Sequence, residues 1–140
     1  MATTGLAWSD KFSTDIASLD RQHQQLLFLS QNLLYVLSSD ENSLTEKQDA
    51  FQDLADHILA HFEYEERIMR NIGYPYSEAH IVEHDEIRAE IAKMVVSVTR
   101  GEEIDDWKGL VSMVQVWVLR HIVASDIQIS DYIQRTCDDA

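Results

Sequence analysis

One cysteine, one proline and four glycines are all that the 140-residue chain has of the residues that cross-link or interrupt a backbone. A lone thiol, Cys137, cannot build a disulfide framework and fits a reducing compartment. So few turn formers argue against a sheet-rich fold and for long helices. Basic residues are scarce too: 11 against 25 acidic side chains give a formal net charge of −14, which disfavours both a phosphate backbone and an anionic membrane surface. Nucleic acid is therefore not an expected partner. No apolar run approaches the roughly 20 residues of a membrane span, and the opening Met-Ala-Thr-Thr-Gly-Leu-Ala-Trp lacks the basic-then-apolar pattern of a signal peptide. The expectation is a cytoplasmic chain of one domain, with no membrane partner and enough length to bury a core.

What is present is helical periodicity. Apolar residues recur at three- and four-residue intervals in four stretches, and at about 100° per residue each series makes one stripe. The first is Leu19, Leu26, Leu33 and Leu37, with Ser30 and Leu34 beside it. The second runs Phe51, Leu54, Ala55, Ile58, Phe62, Met69, Ile72; the capping-box pattern Ser43-Leu44-Thr45-Glu46 precedes it, and Gly73 and Pro75 follow. The third is Ile87, Ile91, Met94, Val95, Val98, with Ser77 as the expected cap and Gly101 beyond its end. The fourth is Trp107, Leu110, Val111, Val114, Trp117, Val118, opened by Asp105 or Asp106. Helices of about 18 to 27 residues joined by roughly 5 to 8 residues predict an all-α, antiparallel up-down-up-down four-helix bundle. It would span about residues 18–124, after an N-terminal arm of about 1–17 on which Trp8 and Phe12 pack. A short C-terminal tail, about 125–140, would carry at most a helical turn or two through Tyr132.

Histidines decorate those stripes. His23 falls between Leu19 and Leu26, His80 and His84 lead into Ile87, and His121 continues Val114, Trp117 and Val118. Around the second helix Glu65 lies about 20° and His61 about 60° from Ile58, whereas His57 is about 100° off and belongs at the edge. A single core imidazole needs only a backbone carbonyl. Five with a glutamate would leave many buried polar groups unpaired, at roughly 1 to 3 kcal/mol each, and a metal satisfies them together. His61-x-x-x-Glu65 and His80-x-x-x-His84 are i,i+4 pairs that stack on one helix face. At least six ligands exceed what one structural zinc takes, so more than one ion is implied, of iron, copper or zinc. The Glu-x-x-His pairs of carboxylate-rich di-iron bundles do not occur in the sequence. A shell of neutral nitrogens also gives less support to the high-valent states that oxidise substrates, which favours reversible binding.

These residues carry a family pattern: Trp8, Ile16-x-x-Leu19-Asp20-x-Gln22-His23-x-x-Leu26, His61-Phe62-x-x-Glu65-Glu66-x-x-Met69, Tyr74-Pro75, His80-x-x-x-His84 and Trp117-x-x-x-His121-Ile122-x-x-x-Asp126. Over nearly its whole length the chain resembles the hemerythrins, above all the single-domain bacterial ones. The resemblance implies a non-haem di-iron centre that binds dioxygen reversibly, not an enzyme. It implies that His80, His84 and His121 bind one iron and His23 and His61 the other, while Glu65, Asp126 and an oxo or hydroxo group bridge the two. One position on the second iron is left for dioxygen. Asp126 comes from the resemblance alone, because five residues after His121 is about 140° around a regular helix, reconcilable only if the helix loosens or ends near Ser125.

Two positions depart from the family: Asp15 stands where glycine is common, and Val118 where leucine is usual over the open iron position. Glu63 and Glu66 read as solvated charges. The competing enzyme readings are a His-Asp phosphohydrolase, from the adjacent His84-Asp85, and a peroxidase-like di-iron enzyme. Asp85 projects about 100° from His84, away from the stripe, and the chain offers few basic residues for a phosphate. The second reading lacks an interior acid beyond the bridges.

Overall fold

The structure is a computed structural model that describes residues 13, 14, 16–38, 41, 43–100 and 107–138, without the side chains of 107–111, 118, 119, 122, 123, 137 and 138. Trp8, Phe12, Asp15, Gly101, Asp105 and Asp106, and the side chains of Trp107, Leu110, Val111, Val118 and Cys137, therefore lie outside the described residues.

Among the described residues five α-helices follow one another: α1 Ala17–Leu37, α2 Leu44–Ile72, α3 Ser77–Thr99, α4 Trp107–His121 and α5 Ile127–Asp138. A single π turn, Ile122–Asp126, joins α4 to α5 without a break, and no strand occurs among the described residues. The fold is the expected all-α bundle, with α1 packed on α2 and α4, and α2 on α3. The C-terminal tail is more ordered than expected, since α5 runs on to Asp138. Its Ile129 is buried with Met69 and Tyr74, and Tyr132 and Ile133 pack beside them, so a 129-132-133 stripe holds the helix on the bundle.

Helix ends follow local chemistry. The Ser43 hydroxyl accepts the Glu46 N–H at 3.1 Å, as the capping box requires. At the far end of α2, Gly73 takes φ of 64°; its N–H reaches the Arg70 carbonyl at 3.3 Å and the Tyr74 N–H reaches Met69 at 3.0 Å. That pair of bonds is the Schellman motif, and the Tyr74–Met69 apolar contact accompanies it. Ser77 is not a cap: it is the first residue of α3, and its hydroxyl donates back to the Tyr74 carbonyl at 2.6 Å. At the start of α1 the Asp20 carboxylate takes the Thr14 N–H and hydroxyl and the Ser13 hydroxyl, each at 2.8 Å, pinning the end of the arm.

Most described residues of the first three predicted stripes are buried, and of the fourth Val114 is buried and Trp117 partly so. Leu26, Leu33, Phe51, Leu54, Ile58, Phe62, Ile91, Val98 and Val114 share one apolar cluster, and Met69, Tyr74 and Ile129 form a second. Antiparallel alternation sets the N-terminal part of α1 and α3 level with the C-terminal part of α2 and α4. The histidines sit in that layer, between the two clusters.

Candidate metal centre

Seven side chains meet in this layer, none more than 5% exposed: His23, His61, Glu65, His80, His84, His121 and Asp126. Donor atoms of Glu65, His80, His84, His121 and Asp126 lie within 4.8 Å of one another, as do those of His23, His61, Glu65 and Asp126. The two groups share both carboxylates. Glu65 turns Oε1 to Nε2 of His84 at 3.1 Å, of His121 at 3.2 Å and of His80, while its Oε2 lies 3.1 Å from Nε2 of His61. Asp126 mirrors this, with Oδ1 at 2.8 Å from His121 and 3.1 Å from His80, and Oδ2 at 2.7 Å from His23 and 3.3 Å from His61. Each carboxylate spans a three-histidine and a two-histidine group.

Asp126 reaches the cluster because of the π turn. Bonds from i to i+5 add a residue to the turn, which brings a side chain five places on back over the first. The loosening that the spacing demanded near Ser125 is thus present.

Sequence reasoning missed the outer ring of acceptors. His61 donates Nδ1–H to Gln22 Oε1 at 2.8 Å, His84 to Glu66 Oε2 at 2.9 Å and His121 to Glu83 Oε1 at 3.0 Å. The carboxylates of Glu66 and Glu83 and the amide oxygen of Gln22 only accept, so these bonds put the proton on Nδ1 and point Nε2 inward. Glu66 is accordingly not a solvated charge: its side chain is 14% exposed and also pairs with Arg88. The signal was available one turn on, since Arg88 follows His84 by four residues and lies over the Phe62 ring, which stacks on His84 at 4.0 Å and 14°. Glu63 and His57 are exposed as expected; His57 donates to the Asp53 carbonyl at 2.8 Å and belongs to neither donor group. Asp85 is 62% exposed and pairs with Arg88 at 2.8 Å, away from the cluster.

The interior charge is tightly coupled. Burial works against ionisation of Glu65 and Asp126, and for Glu65 so does the Asp126 charge, yet the histidines around Glu65 and the charge and hydrogen bond of His121 at Asp126 hold both well below the usual carboxylate range. Burial likewise opposes charge on His61 and His80, but the Asp126 and Glu65 carboxylates beside them raise both to about 9, and His121 rises chiefly through the Asp126 charge, with Glu65 and Glu83 adding to it. Glu83 is lowered, chiefly by its bond to His121.

The donor set fits cations. Glu65 Oε2 and Asp126 Oδ1 are enclosed without a hydrogen bond, near imidazoles in distance but misdirected. Nε2 atoms face one another at 3.2 Å in His23–His61 and His80–His121 and at 2.7 Å in His84–His121, so bare lone pairs confront each other unless a proton or a cation lies between. A cation in each group satisfies all of them, and mixed imidazole and carboxylate donors suit a first-row transition metal.

The fold and site together define a helical bundle that encloses a two-lobed, histidine-rich cation centre. The sequence pattern of the Hemerythrin HHE cation binding domain matches residues 14–127, and the chain belongs to the hemerythrin family. It is similar to a bacteriohemerythrin of Pseudomonas aeruginosa, 27% identical over 135 residues that are 96% of this chain and 85% of the relative. It is 31% identical to one of Campylobacter jejuni over 116 residues, 83% and 86% of the two chains. A crystal structure of wild-type hemerythrin superposes with a TM-score of 0.83 at 24% identity, covering 90% of this chain and 95% of the other. That last likeness concerns the fold.

Proposed function

We propose that this chain binds dioxygen reversibly at a non-haem pair of iron ions bridged by Glu65 and Asp126. His80, His84 and His121 hold one ion, and His23 and His61 the other. The observation that carries the reading is the division of each carboxylate's two oxygens between the two histidine groups. The chain's single cysteine supports a reducing, cytoplasmic setting for the pair. No helix among the described residues is long and apolar enough to cross a membrane.

When bound, a ferrous pair supplies the two electrons that dioxygen takes and returns. The residues do the rest. Four protein groups face the His23 side and five the His80 side, so an ion on the His23 side would have fewer protein ligands and would be the one left to take a small ligand. Phe62 lies against the His61, His84 and His121 rings and keeps water from them. As metal ligands the five imidazoles would be neutral and add no negative charge to the two carboxylates, which favours return of the ligand over its cleavage. Asp85 stands outside both groups, which removes the support for the His-Asp phosphohydrolase.

The test is iron analysis with absorption spectra of the reduced protein under inert gas, in air and under inert gas again. Two irons per chain, one dioxygen taken up per pair and its release on flushing are expected. His61→Ala or Glu65→Ala loses at least one iron, and His57→Ala keeps both. Unchanged iron and spectra in the first two variants, turnover of peroxide, or hydrolysis of phosphate esters would overturn the reading.

A further inference from the structure

Glu83 touches both ends of the segment that delivers Asp126. Its Oε1 lies 3.0 Å from Nδ1 of His121, the last residue of α4, and its Oε2 accepts the Ser125 hydroxyl at 2.6 Å, inside the π turn. A wide turn is rare and poorly bonded compared with α-helix, and Ile122-Val123-Ala124-Ser125-Asp126 contains neither glycine nor proline to impose it. Something outside the helix has to hold it. A helical serine ordinarily turns its hydroxyl to its own backbone one turn earlier, but Ser125 turns to α3 instead. Glu83 and Ser125 also form the shared wall of two cavities: a groove of about 750 Å³ between α3 and α4, and a cavity of about 120 Å³ that reaches His80.

We infer that Glu83 is a positioning residue for Asp126 as well as for His121. Its hydrogen bond to Ser125 holds the π turn in the register that aims Asp126 inward, and so sets how firmly the centre keeps its cations. The inference rests on the metal reading above. A carboxylate that served His121 alone would need one oxygen; this one uses both, on two donors in consecutive turns. The distance from α3 to the turn is thereby fixed on the side where Asp126 must swing in.

The test compares the full chain with Ser125→Ala, Ser125→Thr and Glu83→Gln. Two rates are measured: backbone amide hydrogen exchange of residues 122–127, and loss of iron to an excess ferrous chelator. Ser125→Ala leaves Glu83 on His121 and removes only the clamp. It should speed exchange in 122–127, and iron loss, about 10-fold, as removal of a hydrogen bond of about 1.4 kcal/mol would. Ser125→Thr keeps the hydroxyl and should restore both rates. Glu83→Gln should affect the turn and His121 together and release iron faster than Ser125→Ala. Exchange in Ser125→Ala equal to wild type would overturn the clamp, and fast exchange with unchanged iron loss would overturn its link to Asp126. A wild-type chain that takes up no iron would instead refute the metal reading, and the exchange rates would still decide whether the clamp exists.

Discussion

Truncating Glu66 to alanine should destabilise the protein far more than removing the arginine it pairs with. Glu66 Oε2 lies 2.9 Å from Nδ1 of a fully buried His84, so Glu66→Ala strands a buried N–H, at about 1 to 3 kcal/mol, and also loses the Arg88 pair. Arg88 is 26% exposed, so much of its charge can return to water, and an ion pair of that kind is worth about 1 kcal/mol or less. Its position 5.5 Å from the Phe62 ring adds up to about another 1 kcal/mol. Arg88→Gln should therefore cost about 1 kcal/mol and Glu66→Ala about 2 to 3. Because the arginine acts largely through Glu66, the double variant should fall short of the sum by about 0.5 to 1 kcal/mol. Urea unfolding of the four proteins measures this, with Glu66→Gln as a fifth that restores an acceptor for His84 and recovers most of the loss. Strictly additive costs, or a glutamine variant as weak as the alanine one, would show that the stacked Phe62 ring and not Glu66 holds His84. If the bond does orient the imidazole, Glu66→Ala should also weaken iron binding about 10- to 100-fold.

Two further effects follow from the helix ends. Burial raises the Asp20 carboxyl, but the Thr14 N–H and the Ser13 and Thr14 hydroxyls outweigh it and hold the group below 3.8. The stability it provides is therefore complete above the unfolded value and lost as pH falls through the folded one; Asp20→Ala should cost about 1 to 2 kcal/mol at pH 7 in urea unfolding, the gap closing as pH falls below the ordinary carboxylate range, and a gap constant with pH would refute the linkage. At Gly73, φ is 64° and a Cβ would meet nothing within 4 Å, so Gly73→Ala should cost about 1 to 2 kcal/mol from backbone strain alone, and an unchanged urea midpoint would refute that account.

The core was readable because a stripe repeats: a residue such as Leu33 or Ile91 is confirmed by its neighbours three and four places away, and both are buried. The five histidines and Glu65 were readable for the same reason, since each falls in register with a stripe. Glu66, Glu83 and Gln22 were not. Each lies off its stripe, where acidic and amide residues are ordinarily solvated, and its role depends on hydrogen bonds to other helical segments, among them one to a histidine ring. Asp126 shows the limit most clearly. Regular geometry places it away from His121, and only the family pattern put it in the site.

The spacing of the donors explains why the irregularity falls where it does. On α2 and α3 two donors sit four apart, which a regular helix presents on one face: His61 with Glu65, and His80 with His84. On the last helical run His121 and Asp126 are five apart, and only a wide turn brings both inward. A turn of that kind is disfavoured by itself, so the elements on either side must hold it. Val114 anchors α4 in the larger apolar cluster, and Ile129 anchors α5 against Met69 and Tyr74. The turn is thus confined between two packed ends, with Glu83 fastening it from α3. The unexpected order of α5 belongs to the same arrangement. A tail that frayed after Ser125 would leave the wide turn free to relax, and Asp126 would lose the position from which its two oxygens meet both histidine groups.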